Sequence, residues 1–166
     1  NPRSFHEVTN LHEMVLEFAP PLLTISPLDC DSLDLMYGFD FTYEGNHDEI
    51  VAEAFGAGPA LESMLEYPGA RLVKFEPNIT LALDDSLQFQ CRVSVETRTE
   101  ESHIRSGTYP EDQISVYFTV RRYWSNGPEI SFLESYRKQR QIGEEMVERL
   151  IIPHIVRPLA QAIASK

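Results

Sequence analysis

The sequence predicts one α+β domain over residues 1–166, with a single antiparallel sheet of about five strands, helices packed on one face and a C-terminal amphipathic helix. Three observations support this fold class. Apolar and polar residues alternate in several runs, which is typical of half-buried strands. Turn-forming residues separate neighbouring runs, so that the strands pair as hairpins. Near both ends of the chain, apolar residues recur every three or four positions, as on amphipathic helices.

The first half of the chain predicts a helix, a strand and a broken helix. Residues 5–18 carry apolar side chains three and four positions apart, and Pro20-Pro21 would stop that helix. Residues 33–43 alternate throughout, which predicts a strand with one buried face formed by Leu33, Leu35, Tyr37, Phe39, Phe41 and Tyr43. From residue 47 the apolar residues recur at helical spacing, and Gly56-Ala57-Gly58 interrupts that pattern before a second short helix.

Three further strands and a turn are predicted in the middle of the chain. Residues 73–83 and 87–95 alternate and are joined by the turn residues 84–86, which predicts a hairpin. Residues 114–120 predict another strand, after a polar link.

The last third of the chain contains one ambiguous segment. Residues 130–141 follow a turn directly and favour a fifth strand, although Ser131 and Glu134 also fit the capping box that starts a helix. Beyond Gly143, apolar residues at helical spacing predict the C-terminal helix, which Pro153 and Pro158 would kink or break.

Composition excludes some classes of partner. The chain has 26 acidic and 14 basic residues and a formal charge of −12, which repels phosphate backbones and anionic lipid surfaces. We therefore expect no nucleic-acid partner and no membrane association, and no apolar run approaches the ~20 residues of a membrane span. Cys30 and Cys91 are too few for a disulfide framework, so the expected location is cytoplasmic. The first residue is Asn1 rather than Met, which fits a processed or trimmed N-terminus.

The stretch Gly45-Asn46-His47-Asp48-Glu49 is similar to a signature of the calcineurin-like metallophosphoesterases. That resemblance would imply a two-metal centre, which needs ligands from several strand ends. The family supplies them through Asp-x-His and Gly-Asp motifs, and neither occurs in this sequence. The stretch instead predicts a turn in which Asn46 caps a helix and the two acids favour its N-terminus. No metal and no cofactor are therefore predicted.

A cluster of basic and aromatic residues between positions 117 and 140 is the candidate binding surface. If residues 130–141 form a strand, the cations and aromatic rings share one hairpin, and Arg beside Trp is typical of binding hot spots. The predicted binding residues are Arg121, Arg122, Trp124, Tyr136 and Arg137. The alternative is that the cations pair with nearby acids and cover a sheet face.

The sequence favours a non-catalytic binding or interaction module, because it has no nucleophile elbow and no phosphate-binding loop. The expected partners are a protein, a small apolar ligand or a second copy in a homodimer. An alternative follows from element order, which is similar to the hot-dog domains of thioesterases and dehydratases and to helix-grip domains. Those resemblances imply binding or hydrolysis of an acyl or other apolar small molecule, with His47, Asp48 and Glu49 at the pocket.

Overall fold

The computed structural model describes residues 4–56, 58–124 and 131–166. In this part of the chain the strands are β1 (Ser32–Glu44), β2 (Asn78–Ala82), β3 (Phe89–Glu96) and β4 (Glu111–Tyr123). The α-helices are α1 (Phe5–Leu23), α2 (His47–Phe55), α3 (Pro59–Leu65), α4 (Glu101–Ser106), α5 (Phe132–Met146) and α6 (Arg157–Ala164). A 3₁₀ turn covers Pro27–Asp29, and a π-helical segment, Val147–Val156, joins α5 to α6. The predicted α+β class and C-terminal helix are confirmed.

The strands form one antiparallel sheet in the order β1-β4-β3-β2. β4 is central, and Ile114, Val116, Phe118 and Val120 on one of its faces are fully buried. Along β1 the alternate side chains predicted to face inward are half-buried, and those between them are largely exposed. The predicted hairpin is present between β2 and β3, although β2 is shorter than its sequence pattern.

The predicted fifth strand at residues 130–141 is wrong, and four strands are found within the described ranges. Phe132 instead begins α5, and residue 130 lies outside the described residues. The capping alternative explains the outcome, because the backbone N–H of Glu134 donates to the Ser131 hydroxyl at 3.1 Å. The segment buries one helical face, made of Phe132, Ser135, Tyr136, Gln139 and Gly143.

Not every proline that was predicted to stop or break a helix does so. α1 continues past Pro20 and Pro21 to Leu23 and ends where Thr24 adopts a left-handed conformation with φ 56°. Pro153 lies inside the π-helical segment, and at the end of that segment the N–H of Arg157 bonds to the carbonyl of Ile152, five residues back rather than four. A helix also forms in the polar link between β3 and β4, where no helix was predicted; this is α4.

The chain divides by its contacts into two compact units. The first unit contains Asn1–Met36, Leu81–Cys91 and Thr119–Glu145, and the second contains Tyr37–Thr80, Arg92–Phe118 and Met146–Lys166. In the second unit the buried apolar cluster consists of Ile50, Val51, Val95, Ile114, Val116 and Leu159. Because Leu159 belongs to α6, the C-terminal helix contributes directly to that core.

In the first unit, α1 lies against α5. His12 hydrogen-bonds through Nδ1 to the Tyr136 hydroxyl at 3.2 Å, and the two rings meet edge to face. Glu13 forms an ion pair with Arg137, and Thr9 is buried on the same side of α1. These contacts define the inner face of α1.

We expect Phe118→Ala to lower the free energy of unfolding by ~3–5 kcal/mol, because a fully buried aromatic ring would be replaced by a cavity. Phe118 stacks on Tyr37 with ring centroids 6.0 Å apart. The matched control is Met36→Ala, an exposed residue of β1, which should change stability by no more than ~0.5 kcal/mol. Urea titration measures both. A loss below ~1 kcal/mol for Phe118→Ala would contradict the burial of this face.

Candidate functional site

Arg121 and Arg122 are neighbours in β4, so their side chains leave the strand on opposite faces. Arg121 is engaged within the protein. Its Nε donates to Asp34 Oδ1 at 2.7 Å, Nη2 donates to the other carboxylate oxygen, and Nη1 donates to the Tyr123 hydroxyl at 3.3 Å. The hydrogen bonds that the Arg121 guanidinium donates to Asp34 and Tyr123 raise its pKa.

Tyr136 and Arg137 join α5 to α1. Nη2 of Arg137 donates to Glu13 Oε2 at 2.7 Å, and Arg140 reaches the other oxygen of the same carboxylate at 3.4 Å. The hydrogen bond from Arg137 is the main reason that the pKa of Glu13 is lowered. Tyr136 is buried, which raises the pKa of its phenol. The structure therefore does not bring the five predicted binding residues to one surface, and their role in binding stays a prediction.

Arg122 differs from these cations because it is only 8% exposed and has no ion pair within the described part of the chain. Its guanidinium carbon lies 4.7 Å from the ring centroid of Phe89 and 5.9 Å from that of Trp124. Burial lowers the pKa of Arg122, and the charge of Asp84 opposes that shift. The Asp84 carboxylate itself accepts the backbone N–H groups of Gln88 and Phe89.

Several buried polar atoms at the end of β4 and on the buried face of α5 have no hydrogen-bond partner among the described residues. They are Arg122 Nε, Trp124 Nε1, Ser135 Oγ and Gln139 Oε1. Native proteins leave few such atoms unsatisfied, so a group of them calls for an explanation.

The packing of α5 on β4 places these atoms in one region. The ring of Trp124 meets that of Phe132 edge to face, with centroids 5.3 Å apart. Two turns further along α5, Gln139 Nε2 donates to the carbonyls of Val120 at 2.8 Å and Leu33 at 2.7 Å. α5 thus runs back along the end of β4. The helix rises about 10 Å between Phe132 and Gln139, and the strand covers about 13 Å between Val120 and Trp124. Arg122 stands midway between Val120 and Trp124 in β4, and from these two contacts we infer that it lies level with the turn of α5 that carries Ser135. We call Arg122, Trp124, Ser135 and Gln139 the arginine cluster.

Sequence reasoning identified only half of the arginine cluster. Ser135 and Gln139 were overlooked because residues 130–141 were expected to be a strand. A signal was present: on a helix starting at residue 132, Gln139 falls on the same face as Phe132 and Tyr136, and a polar residue on a buried face has to find partners.

His47 and Asp48 are buried in the second unit and are used to hold the backbone. His47 Nδ1 accepts the backbone N–H of Arg98 at 3.2 Å, so that Nε2 is left to donate to the carbonyl of Tyr43 at 3.1 Å. Asp48 Oδ1 accepts the backbone N–H of Phe75 at 2.7 Å and the hydroxyl of Thr97 at 2.9 Å.

Asn46 caps α2 as the sequence predicts. Its side-chain oxygen accepts the backbone N–H groups of Asp48 and Glu49, at 3.0 Å and 3.2 Å. Glu49 itself is exposed. The predicted turn is confirmed, and the pocket role of residues 47–49 stays a prediction.

The outer face of α1 is apolar and exposed. Leu11, Met14, Val15, Phe18 and Leu22 recur at helical spacing, and each is 49–79% exposed. On a helical projection they lie opposite Thr9 and Leu16, on the side away from α5. We call these five residues the α1 stripe.

Neither a metal cluster nor a membrane span is found in the described ranges. No group of three or more His, Cys, Asp or Glu side chains converges there as metal ligands would. No helix within those ranges is both long enough and apolar enough to cross a membrane.

No protein-family model, no curated protein and no solved structure matches this chain.

We expect Asp48→Ala to destabilise the protein by ~1–3 kcal/mol, because it leaves the Phe75 N–H and the Thr97 hydroxyl without their acceptor. Asp48→Asn, which keeps an oxygen at this position, should cost less. The matched control is Glu49→Ala, an exposed carboxylate in the same turn of α2, with an effect within ~0.5 kcal/mol. Equal losses for Asp48→Ala and Glu49→Ala in urea titrations would contradict a structural role for Asp48.

Proposed function

We propose that this chain is a non-catalytic binding domain that works as a protein-interaction module, and that its α1 stripe binds the same stripe of a second copy. The observation that supports the proposal is the exposure of five large apolar side chains on one helix face. Burying apolar surface stabilises association by about 25 cal/mol per Å². Monomeric proteins rarely expose a contiguous apolar patch of more than a few hundred Å².

A second copy fits the α1 stripe because the order and spacing of its apolar side chains are nearly the same in both chain directions. In an antiparallel pair of α1 helices, Leu11 of one copy would approach Leu22 of the other, with Val15 and Phe18 meeting near the centre. Such a pair uses one patch twice, as twofold dimers do. The stripe contains no charged side chain, so no like charges are buried at its centre.

The area that a dimer needs extends beyond the α1 stripe. A standard interface takes about 800 Å² from each partner. Apolar side chains at the end of α1 and just after it are also exposed and can enlarge the contact, namely Leu23, Ile25 and Leu28.

Net charge gives the proposed dimer a distinctive salt dependence. Each copy carries a formal charge of −12, so two copies repel each other over about a Debye length, ~10 Å at 0.1 M salt. Added salt screens that repulsion and leaves the apolar contact intact. Association through the α1 stripe should therefore strengthen with salt, whereas association with a basic partner would weaken.

The alternative function, a hot-dog-like or helix-grip-like domain acting on acyl compounds, stays a prediction. In the second unit, His47 and Oδ1 of Asp48 bond backbone groups, Oδ2 of Asp48 has no partner among the described residues, and Leu159 of α6 fills a packed cluster. The interaction module therefore has the stronger support. The proposal includes a cytoplasmic location and helices that pack on one face of the sheet.

We expect the wild-type protein to dimerise in light scattering coupled to gel filtration, and the dimer fraction to rise as sodium chloride is increased. Replacing Leu11 and Phe18 together by Gln should give a monomer at every salt concentration. Both side chains are exposed, so the loss of stability in thermal melts should stay within ~1 kcal/mol.

The matched control carries Leu61→Gln and Met64→Gln on α3, which are also exposed and apolar but lie outside the α1 stripe. It should dimerise like the wild type. A wild type that stays monomeric at about 100 μM, or a Leu11/Phe18 variant that still dimerises, would contradict the proposal.

A further inference from the structure

We propose that the arginine cluster is a binding site for a small monocarboxylate, in which Arg122 holds the carboxylate. This site lies in the first unit, and its function does not depend on dimerisation through the α1 stripe.

The first argument is charge. A buried cation without a counter-ion is costly, and buried arginines are normally paired. This chain has 26 acidic against 14 basic residues, and its neighbouring cations Arg121 and Arg137 each have a carboxylate partner. Arg122, with the lowest exposure of the three, has none among the described residues. The described part of the chain therefore holds no ion-pair partner for Arg122, and in our proposal a bound carboxylate takes that place.

The second argument is hydrogen-bond chemistry. Arg122 Nε and Trp124 Nε1 can only donate, and the Ser135 hydroxyl can donate as well. The missing partner is thus an oxygen acceptor. The amide of Gln139 is oriented by its two donated bonds, so Oε1 faces inward as an acceptor and suits a hydroxyl on the ligand. A carboxylate with a neighbouring hydroxyl would satisfy both kinds of atom.

The third argument is the geometry of the guanidinium. Phe89 and Trp124 lie over the Arg122 group within cation–π distance. A cation–π contact gives the N–H bonds of the guanidinium no oxygen acceptor, and Nε has no partner among the described residues. An in-plane pair of N–H groups matches the two oxygens of a carboxylate.

The charge count favours a monoanion over a phosphate dianion. The site offers one buried cation, and the negative charge of Asp84 already compensates part of that positive charge. A second negative charge on the ligand would stay uncompensated in an already acidic protein.

Trp124 supplies the measurement, because it is the only tryptophan in the chain and belongs to the site. We expect its fluorescence to change saturably when lactate is added at constant ionic strength, and to respond more weakly to propionate, which lacks the hydroxyl. Arg122→Gln should weaken lactate binding at least tenfold, and Ser135→Ala should weaken it less. Lys138→Gln is the matched control, since it removes an exposed cation of α5 outside the arginine cluster and should bind lactate like the wild type.

Arg122→Lys covers the case in which Arg122→Gln does not fold. It keeps the charge and loses the planar pair of donors, so the expected result is a folded protein with lactate binding weakened several-fold. No saturable change with lactate or propionate up to about 50 mM would overturn the proposal, and would mean that buried water satisfies the cluster. Equal binding by wild type and Arg122→Lys, or tighter binding of inorganic phosphate than of lactate, would overturn it as well.

Discussion

The burial of β4 is the constraint from which most features of this protein follow. The strand is central in the sheet, and every second residue from Ile114 to Val120 is fully excluded from water. Because side chains alternate strictly along a strand, the residue two positions beyond Val120 must point to the same face. That residue is Arg122. Arg122 is therefore buried because of its position in the alternation of β4, and a shift of the strand by one residue would have turned its side chain to the other face. In the buried position, aromatic rings pack against the cation.

Charge is distributed unevenly over the two faces of the same strand. On one face Arg121 pairs with Asp34 in an exposed fork, an arrangement that adds little stability because water competes for both groups. On the other face Arg122 lacks such a partner among the described residues. The abundance of acids in the chain makes the contrast informative, since a suitable carboxylate at the neighbouring positions would have been an easy substitution.

Sequence patterns predicted the parts of the fold in which local chemistry and tertiary packing agree. The strands β1, β3 and β4 follow their alternation, and Asn46 caps α2 as its side chain requires. The pattern failed at residues 130–141, where strand and helix signals were comparable and the packing of Phe132 and Tyr136 decided the outcome. The candidate site was only half predictable. Alternation along β4 could have separated Arg121 from Arg122, but the partners on α5 depend on a contact between segments that no local pattern encodes.

The π-helical segment determines which side of α6 faces the buried cluster. Ile151, Ile155 and Leu159 are each four residues apart, a spacing that drifts around an ordinary α-helix but can stay on one side when wider turns are mixed with α-helical ones. The number of residues in Val147–Val156 therefore fixes the rotation of α6 about its own axis. Deleting one residue from it would turn α6 about its own axis by about 100° and carry Leu159 out of its cluster. A deletion in this segment is therefore more disruptive than a substitution at one of its exposed positions.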